Sequence, residues 1–141
     1  MWYPADADSL RETVDGYLSA STSAVPGKPI AMIVPHAGYD YSGPVAGKTY
    51  STLTGFEYRR VVLLGLSHRV SLRGASLLNV DAYETPLGRI PVDTAARETL
   101  LRHPAVTEQP AAHWNEHSAE NQLQMLQRAL GEFELVEMLV G

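Results

Sequence analysis

Two apolar runs along the chain lack polar alternation, and each leads directly into a histidine. Residues 30–34 precede His36, and residues 61–65 precede His68. Uniformly apolar runs of this length are typical of strands that are buried on both faces of a parallel sheet. A helical pattern separates the runs, so we expect two parallel strands whose carboxyl ends meet at one rim of the sheet.

The remaining pattern alternates between helical and strand-like spacing. Apolar residues recur at helical spacing after Asp6, and Ser42 followed by Pro44 is typical of an N-cap with proline in the first turn. The alternation predicts a three-layer α/β sandwich, with a mostly parallel or mixed central sheet and helices on both faces. The predicted helices follow Asp6, Ser42, Asp93 and Ser118, the further strands are residues 75–80 and 135–140, and residues 83–91 form an excursion over the rim.

The last predicted strand, residues 135–140, has no helix after it to cover it before Gly141. A buried parallel strand needs such a cover and usually a neighbour on each side. Two interpretations stay open: a short terminal edge strand, or the N-terminal part of a larger, truncated fold. In either case we expect an exposed strand edge that favours self-association.

Composition narrows the class of protein. The chain of 141 residues predicts one domain over residues 1–141, and a net charge of −5 without a basic cluster argues against nucleic-acid binding. No apolar run approaches the ~20 residues that span a bilayer, and no signal-peptide pattern is visible, so we expect a cytoplasmic protein without membrane contact. The absence of cysteine excludes disulfides and thiolate ligands.

The two histidines at the predicted rim are candidate metal ligands. Neutral imidazole is a common ligand for zinc, copper, iron and nickel, but two ligands do not complete a site. The polar stretch around Glu116 and His117, with His113 nearby, offers further groups. His117 or His113 is a candidate general acid or base at the rim, while the same stretch before a helix also fits simple capping.

Polar side chains crowd the loop after His36. Tyr39, Tyr41 and Ser42, together with Glu116, are candidates for orienting a substrate hydroxyl or carboxylate. They equally fit a tight loop in which side chains satisfy buried backbone groups. The loop lacks the glycine spacing and lysine of a phosphate cradle, and the residues around Ser67 lack the second glycine of a nucleophile elbow, which argues against serine hydrolysis.

Five motifs in fixed order resemble a known family. They are Trp2-Tyr3-Pro4, Pro35-His36-Ala37-Gly38-Tyr39 with Tyr41-Ser42-Gly43, Gly65-Leu66-Ser67-His68, Tyr83-Glu84-Thr85-Pro86-Leu87-Gly88 and Glu116-His117-Ser118. In this order they resemble the Memo family, whose bacterial and archaeal members are labelled AmmeMemoRadiSam system protein B. The resemblance covers nearly the whole chain, although Gln124-Met125 replaces the usual Pro-Phe.

The resemblance implies a fold similar to class III extradiol dioxygenases. It implies an iron or copper ion at His36 and His68 with redox chemistry, and a vestibule that includes His117. Family members are about twice as long as this chain, and their remaining half supplies the third metal ligand, typically a cysteine. We therefore expect this chain to be the N-terminal part of a Memo-like α/β domain, with the third ligand outside it.

Two classes of function follow from these expectations. The first is a non-haem metal-dependent oxidoreductase of dioxygenase type, in which open metal positions and a nearby histidine act on a small molecule. The alternative is a non-catalytic binding module whose rim recognises an anionic peptide, as associated with eukaryotic members of the family, or a metabolite. Redox turnover with bound iron or copper separates the two.

Overall fold

The computed structural model describes residues 2–20 and 25–141, so part of the predicted loop at residues 19–29 lies outside the described residues. The elements are α1 (Ala7–Ser19), α2 (Tyr39–Tyr50), a 3₁₀ turn (Ser51–Leu53), β1 (Arg60–Leu66), β2 (Ala75–Leu77), β3 (Ala82–Thr85), β4 (Gly88–Pro91), α3 (Thr94–Leu101), β5 (Val106–Glu108), α4 (Pro110–His113), α5 (Glu120–Leu130) and β6 (Glu134–Val140).

The central sheet is mixed and has the strand order β1-β6-β2-β5. β1 and β6 pair in parallel along their full lengths, from Arg60 opposite Glu134 to Leu66 opposite Val140. β2 is antiparallel to β6 and parallel to β5. A separate antiparallel pair, β3-β4, completes the strands. This arrangement confirms the predicted mixed α/β fold.

The C-terminal strand is not an edge strand. β6 lies between β1 and β2 in the sheet, so the predicted edge at residues 135–140 is wrong. Its apolar residues are explained by neighbours on both sides, and Leu135, Val136 and Leu139 are buried. The edge strands of this sheet are β1 and β5 instead. Self-association of the chain stays a prediction.

The main core lies where α1, α2 and α5 pack against one face of β1 and β6. It contains Leu10, Val14, Tyr39, Tyr50, Met125, Leu126 and Leu135 among others. Val61 and Leu63 of β1 pack against it, whereas the alternate residues Val62, Leu64 and Leu66 are 54, 59 and 48% exposed. The expectation that β1 is buried on both faces is therefore wrong, because only one of its faces is covered.

The predicted strand at residues 30–34 is also not formed. The segment is extended, but among the described residues no backbone hydrogen bond joins it to another strand. Pro29 and Pro35 bracket the segment and offer no amide donors, which weakens a ladder at both of its ends.

Several helix boundaries follow the sequence pattern. The side chain of Asp6 accepts a hydrogen bond from the Ser9 amide and caps α1, and Asp93 caps α3 through the Ala96 amide. α2, however, begins at Tyr39 with Gly38 as its N-cap, so Pro44 lies inside the helix. None of the described helices is both long enough and apolar enough to cross a membrane.

The remaining differences concern short elements. Residues 83–91 form the β3-β4 hairpin instead of an irregular excursion, and β2 ends at Leu77 instead of residue 80. β5 and α4 are short elements that the pattern did not predict. α5 begins at Glu120, because the Ser118 side chain bonds to β1 and does not cap the helix.

Candidate functional site: a histidine pair at the end of β1

The structure brings His36 and His68 together. Their ring centroids are 5.2 Å apart, with the ring planes inclined by 49°. His68 follows the carboxyl end of β1, and His36 follows the extended segment of residues 30–34 that lies beside β1. We call these two residues the histidine pair.

Glu116 fixes one member of the histidine pair. Its carboxylate lies 3.1 Å from Nδ1 of His68 and accepts a hydrogen bond from the His68 backbone amide at 2.8 Å. The backbone amides of His117 and Ser118 donate to the same carboxylate, each at 2.9 Å. With Nδ1 engaged, Nε2 of His68 has no partner among the described residues and is the nitrogen available for a ligand.

The charge on Glu116 is stabilised by its surroundings. Its side chain is only 5% exposed. Burial by itself raises the pKa of this carboxyl, but the hydrogen bonds from the His68 and Ser118 backbone amides outweigh burial and lower the pKa to about 2. The carboxylate is therefore ionised at neutral pH and faces the imidazole of His68.

Further hydrogen bonds join the loop after β1 to the loop before α5, where Glu116 contacts His68. Arg69, next to His68, donates from Nε to the Asn115 carbonyl at 2.9 Å, and Asn115 has a positive φ of 56°. Ser118 Oγ donates to the Leu66 carbonyl at 2.8 Å and accepts from the Leu66 amide at 3.0 Å. Ser118 thus bonds to the backbone of Leu66 as a neighbouring strand would. These bonds hold the loop before α5 against the end of β1.

Polar residues of α5 position the other histidine. Asn121 Nδ2 donates to the His36 carbonyl at 3.0 Å, and Gln122 Nε2 lies 3.4 Å from the Pro35 carbonyl. Both side chains are buried. The sequence analysis named neither residue as a candidate. The available signal was a pair of consecutive amide side chains in the first turn of the helix.

His117 lies in the same loop as Glu116 and has its own carboxylate. Its Nδ1 is 2.6 Å from Oε2 of Glu120, and Tyr3 also donates to Glu120. The Trp2 ring lies against His117 with a centroid distance of 4.6 Å. The Glu120 contact favours the proton on Nδ1 and leaves Nε2 without a partner among the described residues.

The candidate substrate-binding residues in the stretch after His36 differ in their exposure. The Tyr39 hydroxyl is buried within hydrogen-bond distance of the Asn121 carbonyl and the Gln124 side chain, and burial raises its pKa. Ser42 is buried and donates to the Ala37 carbonyl at 2.7 Å. Both polar groups are therefore used within the fold. Tyr41, by contrast, is 86% exposed.

His113 contacts a different group of residues. Its Nε2 lies 3.1 Å from Ser76 Oγ, and its Nδ1 lies 3.4 Å from Glu137 of β6. Tyr83 donates to the same Glu137 carboxylate at 2.5 Å. Burial, followed by the Glu137 charge, raises the pKa of Tyr83. In the described residues His113 therefore bonds within a buried polar cluster and not to the histidine pair.

The histidine pair is an incomplete ligand set. Over residues 2–20 and 25–141, no group of three His, Cys, Asp or Glu side chains is placed to hold a metal ion. Glu116 is the nearest carboxylate to His68, but its oxygens are already used by the imidazole and by backbone amides.

Fold and site together define a class: a mixed α/β protein with a carboxylate-supported histidine pair at the end of a strand. A sequence profile described as "Memo-like protein" matches residues 1–141. A MEMO1 family protein of Aquifex aeolicus is 39% identical over 140 residues, which is 99% of this chain and 51% of that protein. The chain belongs to the Memo-like family.

Other relatives agree with this assignment. A MEMO1 family protein of Pyrobaculum arsenaticum is 32% identical over 148 residues, covering 99% of this chain and 53% of that protein. Protein MEMO1 of Xenopus laevis is 44% identical over 93 residues, covering 65% of this chain and 31% of that protein. The chain thus spans about half the length of the curated family proteins from Aquifex and Pyrobaculum.

Proposed function

We propose that the histidine pair binds an iron or copper ion and that the protein is a Memo-like metal protein with redox activity of dioxygenase type. The observation that carries this proposal is the convergence of the two imidazoles, whose centroids are 5.2 Å apart, with a buried carboxylate at Nδ1 of His68. A carboxylate that orients a ligating histidine is a common feature of metal sites.

The residues present fit such an ion. Imidazole nitrogens suit iron and copper, and ligation requires the neutral ring. Glu116 accepts the Nδ1 proton of His68, which directs the lone pair of Nε2 outward and increases the basicity of that nitrogen. The side chain of His68 is 53% exposed, so an ion and a further ligand have access to it.

Two imidazole ligands would support Lewis-acid and redox chemistry at a bound ion. A bound iron or copper ion would supply Lewis acidity and one-electron redox chemistry at the end of β1. The chain itself contributes two neutral nitrogen ligands, and Asn121 holds the backbone of His36 in place. We propose that the remaining positions are open to substrate and to a ligand from outside the described residues.

His117 is the residue we propose for moving a proton. Glu120 holds its Nδ1, and the Trp2 ring packs against the imidazole and restricts its rotation. An imidazole oriented in this way presents Nε2 as a general acid or base. Glu116 links it to the histidine pair, since the His117 amide and the His68 imidazole contact the same carboxylate.

Calorimetric titration with Fe(II) under anaerobic conditions, and separately with Cu(II), tests the proposal. We expect His36→Ala and His68→Ala each to weaken binding by about tenfold or more, because each removes one of two protein ligands. His103→Ala is the matched control, because His103 is an exposed histidine that follows α3. Binding that is unchanged in both pair variants would show that the site is wrongly assigned.

A further inference from the structure

A cavity lies at the opposite end of β1 from the histidine pair. Its volume of about 630 Å³ is within the usual range for a small-molecule site. The Glu134 amide donates to the Arg59 carbonyl at 2.9 Å, and Val92 forms a parallel bridge with Leu135, so the cavity forms where β1 and β6 begin beside the end of β4. The seven residues of β1 separate it from the histidine pair by roughly 20 Å.

Four arginines line this cavity, which we call the arginine cavity. They come from four different parts of the chain: Arg11 of α1, Arg59 before β1, Arg89 of β4 and Arg128 of α5. They are four of the eleven lysines and arginines in a chain whose net charge is −5. Guanidinium groups repel one another, so their convergence on one cavity requires negative groups nearby.

Two of the four arginines are already paired with carboxylates. Arg128 donates two hydrogen bonds to Asp15, at 2.7 and 2.9 Å, and Arg11 donates to Asp8 at 2.5 Å. These aspartates balance the charges of both guanidinium groups and hold them in place. Arg11 and Arg128 therefore form a fixed part of the cavity wall.

The other two arginines lack a bonded carboxylate. Arg59 is 90% exposed in its side chain, and its Nε lies 3.9 Å from Glu134, which is beyond hydrogen-bond distance. Glu84 is opposite Arg89 in the β3-β4 register, but over residues 2–20 and 25–141 no carboxylate oxygen lies within 4 Å of the Arg89 guanidinium. Glu132 also lines the cavity and forms no ion pair with either arginine in this part of the chain. Two guanidinium groups at one cavity are therefore available to an anion.

The inner wall of the arginine cavity is apolar. Ile90 and Phe133 are buried core residues, and the half-buried Leu87 packs against the same core. A guanidinium group binds an oxyanion through two parallel hydrogen bonds, and two such groups match the double negative charge of a phosphate monoester. The apolar wall favours a ligand whose phosphate is attached to a carbon skeleton that can be buried there.

We propose that the arginine cavity binds a small organic phosphate, with the phosphate group held by Arg59 and Arg89 and the carbon skeleton against Leu87 and Phe133. A carboxylate carries a single charge and would pair with only one of the two guanidinium groups, so a phosphate monoester fits the cavity better. This second ligand site is independent of the proposed function, because it requires no metal ion at the histidine pair.

Calorimetric titration with 1-naphthyl phosphate, in the presence of a chelator that removes metal ions, tests the site. We expect 1-naphthyl phosphate to bind at least about tenfold more tightly than inorganic phosphate, which lacks the apolar part, and than 1-naphthol, which lacks the charge. 1-Naphthoate should bind more weakly than the phosphate ester, because it carries one negative charge fewer. Binding of 1-naphthyl phosphate that is no tighter than binding of inorganic phosphate or of 1-naphthol would overturn the proposal.

Substitutions locate the bound phosphate. We expect Arg59→Gln and Arg89→Gln each to weaken 1-naphthyl phosphate binding by about tenfold or more, because each removes a charged hydrogen-bond donor. Both arginines are exposed, and thermal melts check that the variants are folded. Arg102→Gln, at an exposed position after α3 and outside the cavity, should bind like the parent chain, and so should His36→Ala. Unchanged binding in both cavity variants, or an equal loss in Arg102→Gln or His36→Ala, would contradict the proposal.

Discussion

Glu116 is the residue on which the geometry of the candidate site depends most. Its carboxylate receives the backbone amides of His68, His117 and Ser118 as well as the His68 ring nitrogen. One side chain therefore sets the conformation of the loop before α5 and the orientation of an imidazole that follows β1.

The substitution Glu116→Gln tests this dependence. A glutamine keeps the shape, but its amide group would face backbone donors, and we expect a loss of about 1–3 kcal/mol in the free energy of unfolding. Metal binding should weaken by about 10- to 100-fold, because the carboxylate no longer orients His68. Urea unfolding and calorimetry measure the two effects, with Glu98→Gln on the exposed face of α3 as the control.

The same variant has a defined pH dependence. The folded-state pKa of Glu116, about 2, lies below its ordinary value of 4.5, so its ionised form stabilises the fold above about pH 4.5. That contribution is lost as the pH falls from about 4.5 towards 2. The stability difference between parent and Glu116→Gln should therefore narrow over this interval, and a difference that stays constant would contradict the assigned role.

The two histidines that follow apolar runs could be identified from the sequence, but the residues that they contact could not. His36 and His68 stand out because each follows an apolar run. The roles of Glu116 and Asn121 depend on a contact between two loops about 50 residues apart and on the first turn of α5. A contact between distant residues leaves no periodic pattern in the local sequence.

At the scale of elements, the close packing of β1 on the start of α5 places His68. A Cβ atom on Gly65 would lie 2.7 Å from Ser118 Oγ, 2.8 Å from Leu139 Cδ2 and 3.0 Å from Ala119 Cβ. Only glycine allows this approach, and the approach lets Ser118 bond to Leu66.

Gly65→Ala should therefore destabilise the protein by about 1–3 kcal/mol through overpacking, and it should also weaken metal binding by displacing the loop that carries His68. Gly16→Ala is the contrasting variant, because nothing lies within 4 Å of its added Cβ in α1. We expect it to stabilise the protein by about 0.5–1 kcal/mol. Urea unfolding of both variants is the measurement, and a Gly65→Ala variant as stable as the parent would show that the packing is not tight.

Elements were predictable where a local signal determines them. Asp6 and Asp93 mark the starts of α1 and α3, and the apolar run of β1 is correctly located. The prediction failed at residues 30–34, where apolar residues alone do not form a ladder. It failed again at Ser118, where a bond to a distant strand replaces the expected cap.

At the scale of the whole molecule, the fold class could be predicted from the sequence, but the order of strands in the sheet could not. Alternating helical and strand patterns gave the α/β class, whereas the insertion of β6 between β1 and β2 depends on pairing between distant segments. A uniformly apolar run likewise does not indicate that one face of β1 is exposed. That face includes Val62 and Leu64, each more than half exposed.

The proposed site requires that His36 and His68 bind the same metal ion. Pulsed electron paramagnetic resonance of the Cu(II)-loaded chain, at one equivalent of copper, counts coordinated imidazoles from the modulation produced by their remote nitrogens. We expect two imidazoles in the parent chain, in His103→Ala and in His117→Ala, and one in His36→Ala and in His68→Ala. Fewer than two imidazoles in the parent chain, or two retained in either pair variant, would contradict the claim.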